Sequence, residues 1–433
     1  MKKVLIITYY FPPSGGAGVQ RVLKFVKYLP EFGWDPTVLT VVENAGFPTR
    51  DVSLLNEIPE CARIVRTSLF EPYKAYQKFT GRSADQGMDI ATLHQGRKSF
   101  KEMIAEWIRS TFFIPDARCF WKMTAVSAGK RLLKEDNYHI IFSSAPPYTT
   151  HLIGKKLARY SGKIWVADFR DSWVGWLSAA QRWWLPRMIE LKMERSVLKQ
   201  ADHVTVAYPG IQRDLISRHD RVNASKWTWI SNGFDQSDYK KRMIPLTDDP
   251  FVITYTGSLY GFRNPKTFLE GISKLREKCP DLADKLRVRF VGRVDPNFIR
   301  EFDTFKPIIE YIPYVSHEQS INYLLSSHAL LLIIDHVQAG DYIVPGKVFE
   351  YIGAQKPILA LASDGETAKL IRHLRVGKVV GPDDSEGVSC VLAKWIKEKR
   401  GAIYDLERRP EMISEFERRN LSRKLALLFD SII

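Results

Sequence analysis

Along the chain, short apolar runs alternate with stretches in which apolar positions recur every three or four residues. That alternation predicts parallel strands covered by helices. Val4–Thr8 reads as a first strand and Pro12–Gly18 as a loop. Val19, Val22, Leu23, Val26 and Leu29 then mark one face of a helix that ends before Gly33. Thr37–Val42, Ile64–Arg66, His139–Ser143, Lys163–Ala167 and His203–Ala207 continue the strand series. Residues 70–135 interrupt it as a less regular insertion rich in Lys, Arg and aromatic side chains. Its stretch from Phe100 to Leu133 reads as mostly helical, broken near Pro115.

A second series follows a polar linker near Gln236–Pro250. Its strands are Phe251–Thr256, Leu286–Val291, Ile308–Ile312, Ala329–Asp335, Pro357–Ala362 and Lys378–Gly381. Its helices are Pro265–Lys278, one opened by a capping box at Ser316 and Gln319, Lys347–Ala354, Glu366–Leu374 and Glu386–Lys399. Glu411–Ile432 is amphipathic and is expected to form closing helices. The pattern predicts an α/β protein with two Rossmann-like, doubly wound domains facing a cleft. The N-terminal domain would span 1–240, with the insertion at about 70–135, and the C-terminal domain 241–410. Residues 411–433 would pack back towards the first domain.

Charge sharpens the division. The chain has 433 residues, 64 Lys and Arg, 49 Asp and Glu, and a formal net charge of +15. Residues 1–240 hold 35 basic and 23 acidic side chains, net +12, which leaves 29 and 26, net +3, for residues 241–433. Ten of the eleven tryptophans also precede residue 241. A basic, Trp-rich half suits nucleic acid, phosphorylated small molecules or an anionic membrane as partner. The four cysteines, Cys61, Cys119, Cys279 and Cys390, lie far apart. That spacing excludes a zinc ribbon and a thioredoxin motif and fits a reducing compartment. Met1–Phe11 superficially imitates a signal peptide, but Pro12-Pro13 cuts the apolar run short and no small-residue cleavage site follows. No apolar stretch approaches the roughly eighteen residues needed to span a bilayer. A cytoplasmic protein is expected, either free or held at the inner face of the membrane.

Candidate chemistry begins at the first loop, FPPSGGAG over Phe11–Gly18. Gly15 and Gly16 would let backbone N–H groups approach a diphosphate or an acceptor at the positive end of the following helix. Gly16-x-Gly18 is half of a dinucleotide fingerprint, but the third glycine position is Arg21. No Walker A sequence is present, so a P-loop nucleotidase is excluded.

Several further segments, in order, give the loop a context. They are SNGFD at Ser231–Asp235, YTGSL at Tyr255–Leu259, FVG at Phe290–Gly292, YIPYVSHE at Tyr311–Glu318 and VPGKVFEYIGAQKP at Val344–Pro357. With the strand–Gly-Gly–helix start, they make the chain resemble glycosyltransferase family 4. Those are retaining enzymes of the two-Rossmann (GT-B) type, and the branch resembled is that of bacterial capsule, exopolysaccharide and lipopolysaccharide synthesis. The resemblance spans nearly the whole chain. It implies transfer of a sugar from a nucleotide-sugar donor to a glycan or lipid-linked acceptor, with retention.

On that resemblance Glu350, one turn into its helix, would accept hydrogen bonds from a ribose diol. The helix start behind it would face the diphosphate. The family's other glutamate falls at Tyr342 here, with Asp341 beside it as the available carboxylate. Lys347, after Pro345-Gly346, is a contact for the anion. Arg263 and Lys266, following Gly257, loosely match the family's Arg/Lys pair, which would stabilise negative charge gathering on the leaving phosphate.

On the acceptor side, SSAPPYTTH at Ser143–His151 and ADFRDSW at Ala167–Trp173 follow two strands. Asp168, Arg170 and Asp171 stand where many relatives carry a histidine. They would either hold polar hydroxyls or form a buried Arg–Asp structural pair. No Asp-x-Asp occurs, so neither a metal nor any other cofactor is expected. Trp173, Trp176, Trp183 and Trp184 with Arg182, Arg187 and Lys192 form an aromatic and basic stretch. It suits core packing residue by residue and peripheral contact with an anionic membrane as a group.

Two other functions fit parts of the sequence. A nucleotide-sugar epimerase would use the same scaffold. A basic nucleic-acid binder would account for the charge, but no nucleic-acid module accompanies it, and no nucleic-acid partner is expected.

Overall fold

The computed structural model describes residues 1–47, 49–69, 107–108, 110–175, 182–219, 223–239, 250–261, 263–334, 344–398 and 408–433. It divides into two compact units, Met1–Ser231 with Arg418–Ile433, and Asn232–Glu417.

The first unit is built on a seven-stranded parallel sheet. Its strands are β1 Lys2–Ile7, β2 Trp34–Val41, β3 Arg63–Thr67, β4 Ile140–Ala145, β5 Ile164–Phe169, β6 His203–Val206 and β7 Trp227–Trp229, in the order β3-β2-β1-β4-β5-β6-β7. Val4, Leu5 and Ile6 at its centre are fully buried, as expected of strands covered on both faces. β1 pairs with β2 through Lys2–Trp34 to Ile7–Leu39, and with β4 through Val4–Ile140 to Ile7–Ser143. The strand order therefore reverses direction between β1 and β4.

Helices α1 Ala17–Tyr28, α2 Trp121–Glu135, α3 Thr149–Ser161, α4 Trp184–Gln200 and α5 Pro209–Arg218 flank this sheet. Val19, Val22, Leu23 and Val26 line the buried face of α1. They share a core with Leu421, Leu425 and Phe429 from the C-terminal helix Arg418–Ser431. β7 lies beyond the strands that apolar runs suggest, because Trp227-Thr-Trp229 is short and only half-buried.

The second unit carries a six-stranded parallel sheet. Its strands are β8 Phe251–Thr256, β9 Leu286–Val291, β10 Ile309–Ile312, β11 Ala329–Ile333, β12 Ile358–Leu361 and β13 Gly377–Val380, in the order β10-β9-β8-β11-β12-β13. The order reverses between β8 and β11, which pair at Ala329–Ile253 and Leu330–Thr254. Helices α6 Lys266–Lys278, α7 Pro296–Asp303, α8 His317–Leu325, α9 Gly346–Gly353, α10 Glu366–Leu374 and α11 Ser385–Glu398 cover it. The capping box opens α8: Ser316 Oγ accepts from Gln319 N–H, and the Gln319 side chain accepts from Ser316 N–H.

Both sheets are thus all-parallel and doubly wound, the α/β class that the alternating pattern predicts. Among the described residues, no helix is long and apolar enough to cross a membrane.

Candidate active site

Open α/β sheets bind ligands at the carboxyl ends of strands, where the strand order reverses. Each unit has such a point, and each gathers residues singled out from the sequence.

In the first unit the loops after β1, β4 and β5 converge. Asp168, near the end of β5, is fully buried and saturated with donors. Arg21 donates to it through Nε (3.0 Å) and Nη2 (2.7 Å), Ser144 Oγ at 2.7 Å and Thr205 Oγ1 at 2.7 Å. Burial alone would raise its carboxyl, but the Arg21 guanidinium and the hydroxyl donors hold it below the ordinary value. The remaining reach of Arg21 goes to the carbonyls of Ile230 and Ser231, each at 2.8 Å. The buried pair is therefore Asp168 with Arg21, not with Arg170. Its signal in the sequence was an arginine at the position where a dinucleotide fingerprint requires glycine.

Arg170 closes a different seam. Its guanidinium donates to the carbonyls of Ala145 (3.2 Å), Gly18 and Pro146, tying the first turn of α1 to the end of β4 and the loop after it. A Cβ on Gly18 would lie 3.6 Å from Arg170 Nη1, an ordinary contact, so the guanidinium does not depend on a glycine there. Gly15 N–H donates to Thr49 O at 2.9 Å, and Gly16 takes φ +86° at the start of α1.

Asp171 is half-buried. Desolvation pushes its carboxyl up to about 6, against the pull of Arg170 and Arg21. Trp173 is buried and stacks on Tyr148 at 4.7 Å, and the Tyr148 hydroxyl donates to Ser172 O at 2.7 Å, which fixes this loop. His151 is enclosed: its Nδ1 lies 2.9 Å from Ser143 Oγ, its ring packs 4.4 Å from Phe169, and burial lowers its pKa to about 3. It is a neutral packing residue at any physiological pH. Trp176 lies outside the described residues.

In the second unit the reversal between β8 and β11 is bordered by two glycine loops in contact. Gly257 takes φ +105° and Gly292 φ +130°; a Cβ on Gly292 would fall 2.4 Å from Gly257 O. Only glycine meets both the conformation and the approach. Lys347, on the first turn of α9, lays its ammonium 4.0 Å from the Tyr255 ring centroid and donates to Tyr255 Oη at 2.7 Å. A Cβ on Gly257 would come 2.9 Å from Lys347 Nζ, so a side chain there would push the ammonium aside. Tyr351 Oη accepts from Thr256 N–H at 2.8 Å, fastening α9 to the end of β8.

Glu350 follows Lys347 by three residues, hence on the same side of α9. Its side chain is 22% exposed, and Oε1 lies 4.0 Å from His317 Nδ1. The other nitrogen of His317 sits 3.2 Å from Asp238 Oδ2, and Tyr239 Oη donates to the Glu350 carbonyl at 2.8 Å. His317 and Asp238, absent from the sequence-based candidates, thus flank Glu350. Nothing in their spacing along the chain announces it, because 79 residues separate them.

Arg263 donates to Ser258 O at 3.3 Å. Lys266 opens α6 with a side chain 73% exposed, 3.9 Å from Glu270. Asp341 and Tyr342 lie outside the described residues. The structure therefore brings Gly257 and Lys347 together, stands Glu350 beside them on α9, and leaves Lys266 facing solvent.

These two sheets and their loops have the architecture of the GT-B glycosyltransferases. The Anabaena HepE structure with UDP and glucose is similar over 100% of both chains, at 13% identity and a TM-score of 0.62. Sucrose-phosphate synthase from Thermosynechococcus elongatus aligns over 100% of this chain and 99% of its own, at 14% identity and a TM-score of 0.63. WaaG, a glycosyltransferase involved in lipopolysaccharide biosynthesis, aligns over 98% and 99%, at 14% identity and a TM-score of 0.60. No protein-family model and no curated protein sequence matches the chain.

Proposed function

We propose that the protein is a glycosyltransferase of the family 4 type, which takes a sugar from a nucleotide-sugar donor bound by the second unit. The observation that carries this reading is the grouping on α9 and β8. Lys347 lies against Gly257 at the strand reversal, with the Glu350 carboxylate one turn further along the helix. An ammonium, a helix start and close-approach glycines suit a diphosphate. A partly exposed carboxylate suits the two hydroxyls of a ribose.

In this reading the bond from the sugar's anomeric carbon to the diphosphate oxygen breaks as an acceptor hydroxyl oxygen bonds to that carbon. The hydroxyl proton passes to the departing phosphate, on the same face of the sugar, with retention. Lys347 and Arg263 stabilise the charge that gathers on the phosphate oxygens, and Lys266 adds a weaker, solvated cation. They supply positive charge without a metal or other cofactor. Asp341 is the carboxylate available to the transferred sugar.

The first unit takes the acceptor, a glycan or lipid-linked sugar of bacterial surface-polysaccharide synthesis at the cytoplasmic face of the membrane. Asp171 receives a hydrogen bond from an acceptor hydroxyl. Asp168 and Arg170 act as positioning residues, and Gly15 and Gly16 border the same loop.

The test is thermal stabilisation by UDP, GDP, ADP and dTDP, followed by product analysis with the sugar form of whichever nucleotide binds. Stabilisation by one of them, lost in Glu350→Gln, with transfer unaffected by a chelator, supports the reading. Isomerised nucleotide sugar without transfer, or no stabilisation by any of the four, contradicts it.

A further inference from the structure

We infer that the exposed face of α4, together with Trp107 and with residues 110–112 fastened to its start, is a docking surface for an anionic lipid bilayer. The apolar part is large and outward-facing: Trp184 is 71% exposed, Phe112 66% and Trp107 54%, with Leu185 and Met188 also exposed. The rings are neighbours. Trp183 and Trp184 lie 5.9 Å apart, and Trp107 and Phe112 lie 6.1 Å apart. Trp183 Nε1 donates to Thr111 Oγ1 at 3.0 Å, joining the two pairs.

This cluster stands on a rigid base. Arg182 is ion-paired with buried Glu190 at 2.9 Å and donates to the carbonyls of Ser110, Phe113 (3.0 Å) and Pro115 (2.9 Å).

The rest of the face is cationic. Positions 184, 188, 192, 195 and 199 recur at helical spacing and form one stripe along α4. Lys192, Arg195 and Lys199 follow the apolar tip along it, with exposed Arg187 at its side. The two carboxylates of α4 do not oppose them. Glu190 is turned inward to Arg182, and Glu194 is buried against Arg218 (3.2 Å) and His219 (2.6 Å). A tip of tryptophan, leucine and methionine, with a row of cations that pair with no carboxylate among the described residues, matches a bilayer interface, where rings sit among headgroups and cations meet anionic lipid. A protein partner is the competing occupant. Lipid is favoured because the cations continue the net +12 excess of residues 1–240, whereas protein interfaces are depleted of lysine.

The surface uses none of the residues proposed to hold the donor, and its test uses no nucleotide, so the two readings stand or fall separately. The full chain is sedimented with vesicles of phosphatidylcholine alone and of phosphatidylcholine mixed with phosphatidylglycerol. Partitioning into the mixed vesicles is expected to be at least about tenfold stronger and to weaken with added salt. The double substitution Trp184→Ser with Met188→Ser should lower it about tenfold. The triple substitution Lys192→Glu, Arg195→Glu and Lys199→Glu should remove the preference for anionic lipid. Unchanged circular dichroism and melting temperature are expected, since all five side chains are exposed. Absence of partitioning, equal partitioning into both vesicles, or persistence of the anionic preference in the charge-reversed variant overturns the inference.

Discussion

The two units share a strand order at their centres and differ in what they do with it. In both, a first strand lies between the second and the fourth, so each sheet offers a crevice where the order reverses. In the first unit that point is crossed by polar ties. Arg21 and Asp168 pair in full burial, Ser144 and Thr205 complete the carboxylate, and Arg170 ties three carbonyls together. In the second unit the same point is bordered by two positive-φ glycines and the ammonium of Lys347. Topology supplies the crevice twice. The side chains differ: a buried arginine–carboxylate network in the first unit, and close-approach glycines with an ammonium held against Tyr255 in the second.

The two points should respond differently to substitution. Asp168→Asn leaves a buried guanidinium without its charge partner and should destabilise the protein by about 3–5 kcal/mol, measured by urea unfolding. Glu350→Gln, at a partly exposed carboxylate, should stay within about 0.5 kcal/mol of wild type. Equal losses in the two would erase the distinction. The glycines supply the next effect. Gly292→Ala places a methyl 2.4 Å from Gly257 O at φ +130° and should cost about 2–3 kcal/mol. Gly18→Ala, whose nearest contact is 3.6 Å away, should cost less than half of that.

A smaller effect is read as a function of pH. The Asp171 carboxyl is raised from 3.8 to about 6 by burial, so the folded protein binds this proton more tightly than the unfolded chain does. The stability it contributes is full below the unfolded value and is lost as pH rises through about 6. Asp171→Asn should flatten the unfolding free energy between about pH 4 and 6, relative to wild type. A slope unchanged by the substitution would remove Asp171 as its source. Lys266→Ala, at a solvated cation, should change stability by less than about 0.5 kcal/mol.

The contrast was only half legible in the sequence. Strands such as Phe251–Thr256 and Leu286–Val291 announce themselves as apolar runs between helical segments, and the capping box at Ser316 needs only local spacing to be read. Glu350 and Lys347 share one turn of one helix, so their proximity follows from helical periodicity. The partner of Asp168 does not: Arg21 lies 147 residues away, and sequence spacing made Arg170 the nearer candidate. His317 was equally hidden, since its place between Asp238 and Glu350 depends on folding that no periodicity encodes. The exposed aromatic residues of α4 resemble core tryptophans in sequence, because burial is a property of the whole unit rather than of the segment.

The most direct measurement is calorimetric titration of the wild-type chain and of Lys347→Ala and Glu350→Gln with UDP, GDP, ADP and dTDP. One of these nucleotides should bind the wild type, and affinity should fall at least about tenfold in each variant, at unchanged folding stability. A nucleotide that binds wild type and both variants equally well, or none that binds at all, would contradict the assignment of the glycine-bordered point in the second unit as the donor site.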